Sequence, residues 1–306
     1  MSVARHSREE KRTRLWGVVV LCLVVGLGLI YGSRLREDTG EILTAARSGG
    51  EVRSPSEPGD LQGIATSPVS SEAVTDNRPK IALIIDDVGF SLFYAKELSE
   101  LKIPLTWSII PYQSQSLSAM KLARAKGIPV MLHLPMEAEG DRPGLSYQVN
   151  LEMDEESIRG FVRRAARSLP DVVGVNNHRG SRATSTPRVM EAVLSEVRNL
   201  GLFFVDSRTS PKSVAFGLAG EMGIPTLKNE VFIDHEANQD SMGKALGRAL
   251  SIARRKGFVV AIAHARPETL RFLETLNETG RDGVKWMTVP ELILESRGSR
   301  QGGMSQ

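Results

Sequence analysis

From residue 79 onward, short apolar runs rich in Ile, Val, Leu and Phe alternate with longer stretches whose apolar positions recur at helical spacing. The runs predict strands at 81–85, 105–110, 129–134, 172–176, 202–205, 225–233, 258–263 and 284–289. The stretches between them predict helices near 91–101, 114–126, 154–169, 187–199, 211–222, 240–256 and 267–279. Punctuation agrees with the periodicity. Gly127 and Pro129 stop one helix, Asp154 is placed to cap the next and Pro170 to end it, and Pro187 sits in a first turn. Repeated βα units predict a parallel α/β sheet closed into an irregular (β/α) barrel, in preference to an open sheet.

The N-terminal part follows other rules. Leu15 to Tyr31 is an uncharged apolar run, just long enough to cross a bilayer as a helix. Arg5, Arg8, Lys11, Arg12 and Arg14 precede it, offset only by Glu9 and Glu10, while Arg34 and Arg36 beyond it are balanced by Glu37, Asp38 and Glu41. The positive-inside rule then keeps residues 1–14 in the cytoplasm and exports the rest. A retained signal anchor in the bacterial inner membrane, with the C-terminal domain in the periplasm or outside, is the expected location; a cleaved, secreted form is the alternative. Residues 32–78 are rich in Gly, Ser, Pro, Thr and Glu and read as a disordered linker. Residues 79–294 form the expected domain, and 295–306 a disordered tail.

Composition narrows the chemistry. The chain of 306 residues has 39 Lys and Arg against 36 Asp and Glu, a formal net charge of +3. That small excess, with no basic run in the domain, excludes a nucleic-acid footprint. The one cysteine, Cys22, lies in the apolar N-terminal run, so the domain has neither disulfides nor thiolate ligands. A metal bound there must use nitrogen and oxygen donors. No Gly-x-Ser-x-Gly elbow, no phosphate-binding loop and no Gly-x-Gly-x-x-Gly turn is present.

Five of the strand-like runs end in Asp or His: Asp86 with Asp87, His133, His178, Asp206 and His264. Parallel strands gather their carboxyl ends on one face, so three Asp and three His are expected around one cleft. That is the composition of a hydrolytic metal centre. Two adjacent carboxylates are costly to bury unless a cation or hydrogen bonds compensate them. Because neighbouring side chains of an extended strand point opposite ways, Asp86 and Asp87 are expected to have different roles. His235 also follows a strand-like run, with Asp234 beside it.

The motifs IIDDVG, LHLPME, GVNNHRGSRAT, FFVDSRTS and IAHARPET, in this order over residues 79–292, resemble the divergent polysaccharide deacetylase family, a branch of the polysaccharide deacetylase superfamily. The resemblance implies an irregular (β/α) barrel with a divalent metal, usually zinc. It implies Asp86 as catalytic base, Asp87 as metal ligand, His264 as catalytic acid and Asp206 as the residue that orients it. The superfamily has a second His four residues after the first, where this chain has Glu137 after His133. The remaining ligand is then either Glu137 or His178. His178 is preferred, because two imidazoles with one carboxylate form a usual donor set for catalytic zinc. Asn176, Asn177, Ser181, Arg182 and Glu137 are the expected substrate contacts.

The expected function is metal-dependent removal of N-acetyl groups from a cell-envelope polysaccharide or peptidoglycan. A catalytically silent envelope protein that binds a glycan or a partner is the alternative, its support being Glu137 in the place of the second His. A metal-dependent amidase or esterase acting on peptidoglycan peptides ranks third.

Overall fold

The alternation of apolar residues along each strand puts one set under the surrounding helices and the other inside the curl of the sheet. The structure, a computed structural model, describes residue 76, residues 78–279 and residues 283–302. The apolar run 15–31 with Cys22, and nearly all of the expected linker, lie outside the described residues. No helix among the described residues is long and apolar enough to cross a membrane.

Nine strands form one sheet: β1 Lys80–Val88, β2 Thr106–Ile109, β3 Val130–Met136, β4 Gly174–Arg179, β5 Phe203–Asp206, β6 Thr226–Lys228, β7 Val231–Phe232, β8 Phe258–His264 and β9 Lys285–Met287. The helices are α1 Leu92–Ser99, α2 Ser116–Lys126, α3 Glu155–Arg167, α4 Pro187–Asn199, α5 Ala215–Glu221, α6 Gln239–Lys256, α7 Pro267–Thr279 and α8 Val289–Gly302. Strand order is β6-β5-β4-β3-β2-β1-β8-β7, and every ladder is parallel. β9 pairs with the first half of β1, at Lys80 to Ala82. No ladder joins β6 to β7, so the sheet curls into an incomplete barrel.

Both faces of the sheet are covered, as parallel sheets require. Ile81, Leu83 and Ile85 of β1, Phe204 of β5, and Val259, Ala261 and Ala263 of β8 pack outward in the larger core with the helices. Ala82, Ile84, Met131, Phe203, Val205, Leu227, Val260 and Ile262 form a second core, and Val289, Leu292 and Ile293 of α8 belong to it. Following the same period of two upward, the next residues are Asp86, Ser108, His133, Asn176, Ser207 and His264. An apolar layer thus underlies a polar one, and the polar layer lies at the carboxyl ends of the strands.

Local signals explain the element ends. Asp154 caps α3 by accepting a hydrogen bond from the Ser157 N–H, and Gly127 ends α2 in left-handed backbone with φ 67°. The region 225–233, expected as one strand, is two: β6 pairs with β5, while β7 crosses to β8. The expected last strand stops at Met287, and the supposed tail from 295 is helical through Gly302. Thr288-Val-Pro-Glu291 explains this correction. Thr288 and Glu291 exchange hydrogen bonds as a capping box, and Pro290 fits a first helical turn.

Gly174 faces Phe203 across the β4–β5 ladder so closely that a Cβ there would overlap the ring. Gly174→Ala should lower unfolding free energy by about 1–3 kcal/mol through overpacking, seen as a lower midpoint in urea denaturation.

Candidate metal centre

Three strand ends bring Asp87, His133 and His178 together. Asp87 Oδ1 lies 3.4 Å from His133 Nε2 and 3.2 Å from His178 Nδ1, and the two ring nitrogens are 3.2 Å apart. A tetrahedral ion with bonds of about 2.0–2.1 Å spaces its ligands about 3.3 Å apart, so the triangle has the size that zinc requires. These donors form the only group of three or more among the described residues that could hold a metal ion. Asp87 Oδ1 is also buried without a hydrogen-bond partner. An orphaned carboxylate oxygen is costly, and a cation between it and the two imidazoles removes that cost. The donor set and its spacing therefore fit a zinc-like ion.

Asp87 reaches this position through unusual backbone. By strand alternation its side chain belongs on the face opposite to Asp86. Instead Asp87 adopts φ 61°, and the β1–β2 register shifts between Ile85 and Val88. Both carboxylates consequently face His133, Asp86 Oδ2 at 3.6 Å from Nε2. The expectation of opposite directions fails because it assumed extended backbone. What separates the two aspartates is their partners.

Asn176 supplies the partner for Asp86. It is fully buried; its Oδ1 accepts from His133 Nδ1 at 2.8 Å and from the Ser108 hydroxyl. Its Nδ2 donates to Asp86 Oδ1 at 2.9 Å and to Ser207 Oγ at 3.2 Å. With Nδ1 carrying the proton toward Asn176, the Nε2 lone pair of His133 faces Asp87 and His178. Supporting contacts of this kind set the tautomer and basicity of a ligand histidine. Burial pushes the Asp86 pKa up, against the opposing pull of His133 and His264. At Asp87 burial acts the same way but is outweighed by His133 and His178, which hold the carboxyl far below its usual range. Burial lowers the His133 pKa, yet the carboxylates of Asp86 and Asp87 outweigh it and raise the group overall.

His264 is the cross-strand neighbour of Asp86 in the β1–β8 ladder. Its Nδ1 contacts Asp234 Oδ1 at 2.8 Å, and Phe232 stacks against the ring. Asp234 is fully buried and also accepts from the His264 backbone N–H and from Thr269 Oγ1. Burial opposes a charged His264, but Asp234 prevails and raises its pKa. This corrects the role expected of Asp206. Asp206 shares the outward parity of Phe204, and its oxygens accept from the Arg208 N–H and the Ser213 hydroxyl, which fold the loop after β5. Asp234, beside His235, also ends a strand-like run.

The expected substrate contacts also carry bonds within the fold. Glu137 is buried, with Oε1 accepting from Arg182 Nη1 at 2.7 Å and Oε2 from the Leu151 N–H at 2.8 Å. It therefore clasps the β3–α3 loop to the loop after β4 and lies outside the donor triangle, while Arg182, its partner, stays partly exposed. Asn177 faces away from Asn176 and binds the Ser207 N–H and the Arg179 carbonyl. Ser181 Oγ accepts from the Glu139 N–H. Asn176 works inside the polar layer and has no exposed surface.

Comparison with known proteins identifies the family and the fold. The divergent polysaccharide deacetylase family matches residues 83–293. The chain belongs to that family. It is 29% identical over 197 residues to the uncharacterised protein YibQ of Escherichia coli K12, covering 64% of this chain and 62% of that protein. It is 30% identical over 195 residues to an uncharacterised Haemophilus influenzae protein, covering 64% of this chain and 70% of that one. The chain thus spans under two thirds of the Escherichia coli relative. The fold is similar to the crystal structure of the uncharacterised protein ATU2773 from Agrobacterium tumefaciens C58, with TM-score 0.66 and 23% identity, covering 70% of this chain and 89% of that one. Membership in the family agrees with the resemblance carried by the five motifs.

Two measurements follow. Asn176→Ala should weaken zinc binding about 10–100-fold in competition with a chelating dye, whereas Glu137→Gln should retain one zinc per chain. Proton and metal compete for His133 Nε2. Zinc affinity should therefore fall by up to about tenfold per pH unit once pH drops below the raised His133 pKa. In the metal-free protein the sign reverses: that raised pKa stabilises the fold at low pH, and the contribution is lost as pH rises through it.

Proposed function

We propose that the domain is a metal-dependent hydrolase that removes N-acetyl groups from a cell-envelope polysaccharide. The observation that carries this reading is the triangle of Asp87, His133 and His178, with its ion-sized spacing and orphaned carboxylate oxygen. Those three residues would hold a zinc ion, and the chemistry it would supply there is that of a Lewis acid toward water and an amide carbonyl. Asp86 takes the proton of the attacking water; its burial-raised pKa brings it nearer to that of an effective base. Asn176 holds one Asp86 oxygen and leaves the other toward the centre. His264, whose pKa Asp234 raises, gives a proton from Nε2 to the departing amine.

Both strand-end groups are shifted upward, by different causes: burial raises Asp86 at β1, and the Asp234 carboxylate raises His264 at β8 against its burial. The silent-binding alternative drew its support from Glu137, and His178 offers the second imidazole that position lacks. On this reading the apolar run Leu15–Tyr31 anchors the domain outside the cytoplasmic membrane, where such a polymer lies.

Dialysis against a chelator should abolish release of acetate from N-acetylated glycan, and zinc should restore it. Asp86→Asn and His264→Ala should each lower kcat about 10²–10⁴-fold with zinc still bound. Turnover unchanged by chelation and by His133→Ala would discard the hydrolase reading.

A further inference from the structure

Large apolar side chains exposed to solvent are concentrated on one side of the centre. Among the described residues they are Phe90, Phe93, Tyr112, Leu117, Tyr147, Val173 and Leu294. The first five lie in, or one turn beyond, the loops that follow β1, β2 and β3, three neighbouring strands on the carboxyl face. Among the described residues, no exposed large apolar residue follows β4, β5, β7 or β8. Exposed apolar groups scattered singly need no explanation, but a cluster beside a site does.

Tyr112 adds an independent observation. It is 61% exposed and held at φ 65°, in the left-handed region that a bulky side chain avoids. A glycine there would relieve the backbone and remove an aromatic ring from water. The fold gains nothing visible from tyrosine at this position, and such strain collects where function demands it. The loop that carries it is held against its neighbour: Val88 O accepts from the Ile110 N–H, and Gly89 O from the Gln115 N–H. Phe90 and Tyr112 thus sit on two joined loops, with Phe90 three residues beyond Asp87. Tyr147 stands on the third loop, fixed by the bonds of Val149 to Pro135 and Glu137.

The chemistry around Phe90 and Tyr112 selects the occupant, while the loop of Tyr147 carries charges of both signs, among them Glu139, Asp141 and Arg142. From Val88 to Ala95 and from Ile110 to Met120 there is no charged residue. Ser91, Gln113, Ser114 and Gln115 lie between the aromatics, all at least partly accessible. Anionic membranes and nucleic acids are met by Lys and Arg. Flat aromatic faces interleaved with neutral amides and hydroxyls suit the apolar faces and hydroxyl groups of an uncharged sugar chain.

We infer that Phe90, Tyr112 and Tyr147 form a stacking surface for successive sugar rings of an uncharged glycan chain, leading to the centre of Asp87, His133 and His178. The inference rests on the glycan reading given above and extends it: the substrate is a polymer held at several rings, and its affinity grows with chain length. The strained backbone of Tyr112 is retained for this contact at the expense of stability.

The test uses the full chain and β-1,4-linked N-acetylglucosamine oligomers of one to six sugars, with binding followed calorimetrically. Affinity should rise with length, and Phe90→Ser and Tyr112→Gly should each weaken hexamer binding by up to about tenfold, without changing the zinc content. Tyr112→Gly should also unfold at a higher temperature. Length-independent affinity, or variants that bind hexamer like the parent, would overturn the inference. So would variants that lose binding only to phosphatidylethanolamine–phosphatidylglycerol vesicles. Length-dependent, variant-sensitive binding without acetate release would leave the surface standing and remove the hydrolase. Acetate release that is indifferent to these variants would do the reverse.

Discussion

A strand offers only every second residue to the inside of a curled sheet, and the centre needs two consecutive ones from β1. Asp86 arrives by ordinary alternation. Asp87 arrives because the chain turns into left-handed backbone at φ 61°, with a register slip against β2. A non-glycine residue there costs about 1–3 kcal/mol, and the surrounding structure must impose it. The bond from Ile110 N–H to Val88 O and that from Gln115 N–H to Gly89 O hold the turn. Without that turn His133 and His178 would face one carboxylate, and it would be the one that Asn176 holds.

The interior is stratified for the same reason. Its lower layer is apolar and closed by Val289, Leu292 and Ile293. Its upper layer carries Asp86, His133, Asn176 and His264, groups that are expensive to remove from water unless each is paired. Asn176 answers for four of its neighbours at once, and Asp234 for His264. The unpaired remainder is the Oδ1 of Asp87. Anything that binds there in the native state and not in the unfolded chain adds its binding free energy to the fold.

Much of this was legible in the sequence. The order of βα units, the gathering of Asp and His at strand ends and the family resemblance needed only periodicity and motifs. What escaped has identifiable causes. Asp206 was given to His264 by the resemblance, although the parity of Phe204 already directed it outward. Asp234 was the better candidate, but β7 is only two residues long and leaves too little pattern to read. Asn176 and Asn177 look alike in sequence, and strand alternation alone sends one inside and the other to the loop. The left-handed turn at Asp87 leaves no signature beyond the glycine two residues later.

The clasp between Glu137 and Arg182 carries a consequence for how such a centre changes over time. Glu137 neutralises a guanidinium and receives the Leu151 N–H while almost wholly enclosed. Installing an imidazole there would strip Arg182 of its counter-charge and unfasten two rim loops together. The larger cost falls on the buried side of the pair: the Leu151 N–H loses its acceptor, while Arg182 still reaches water.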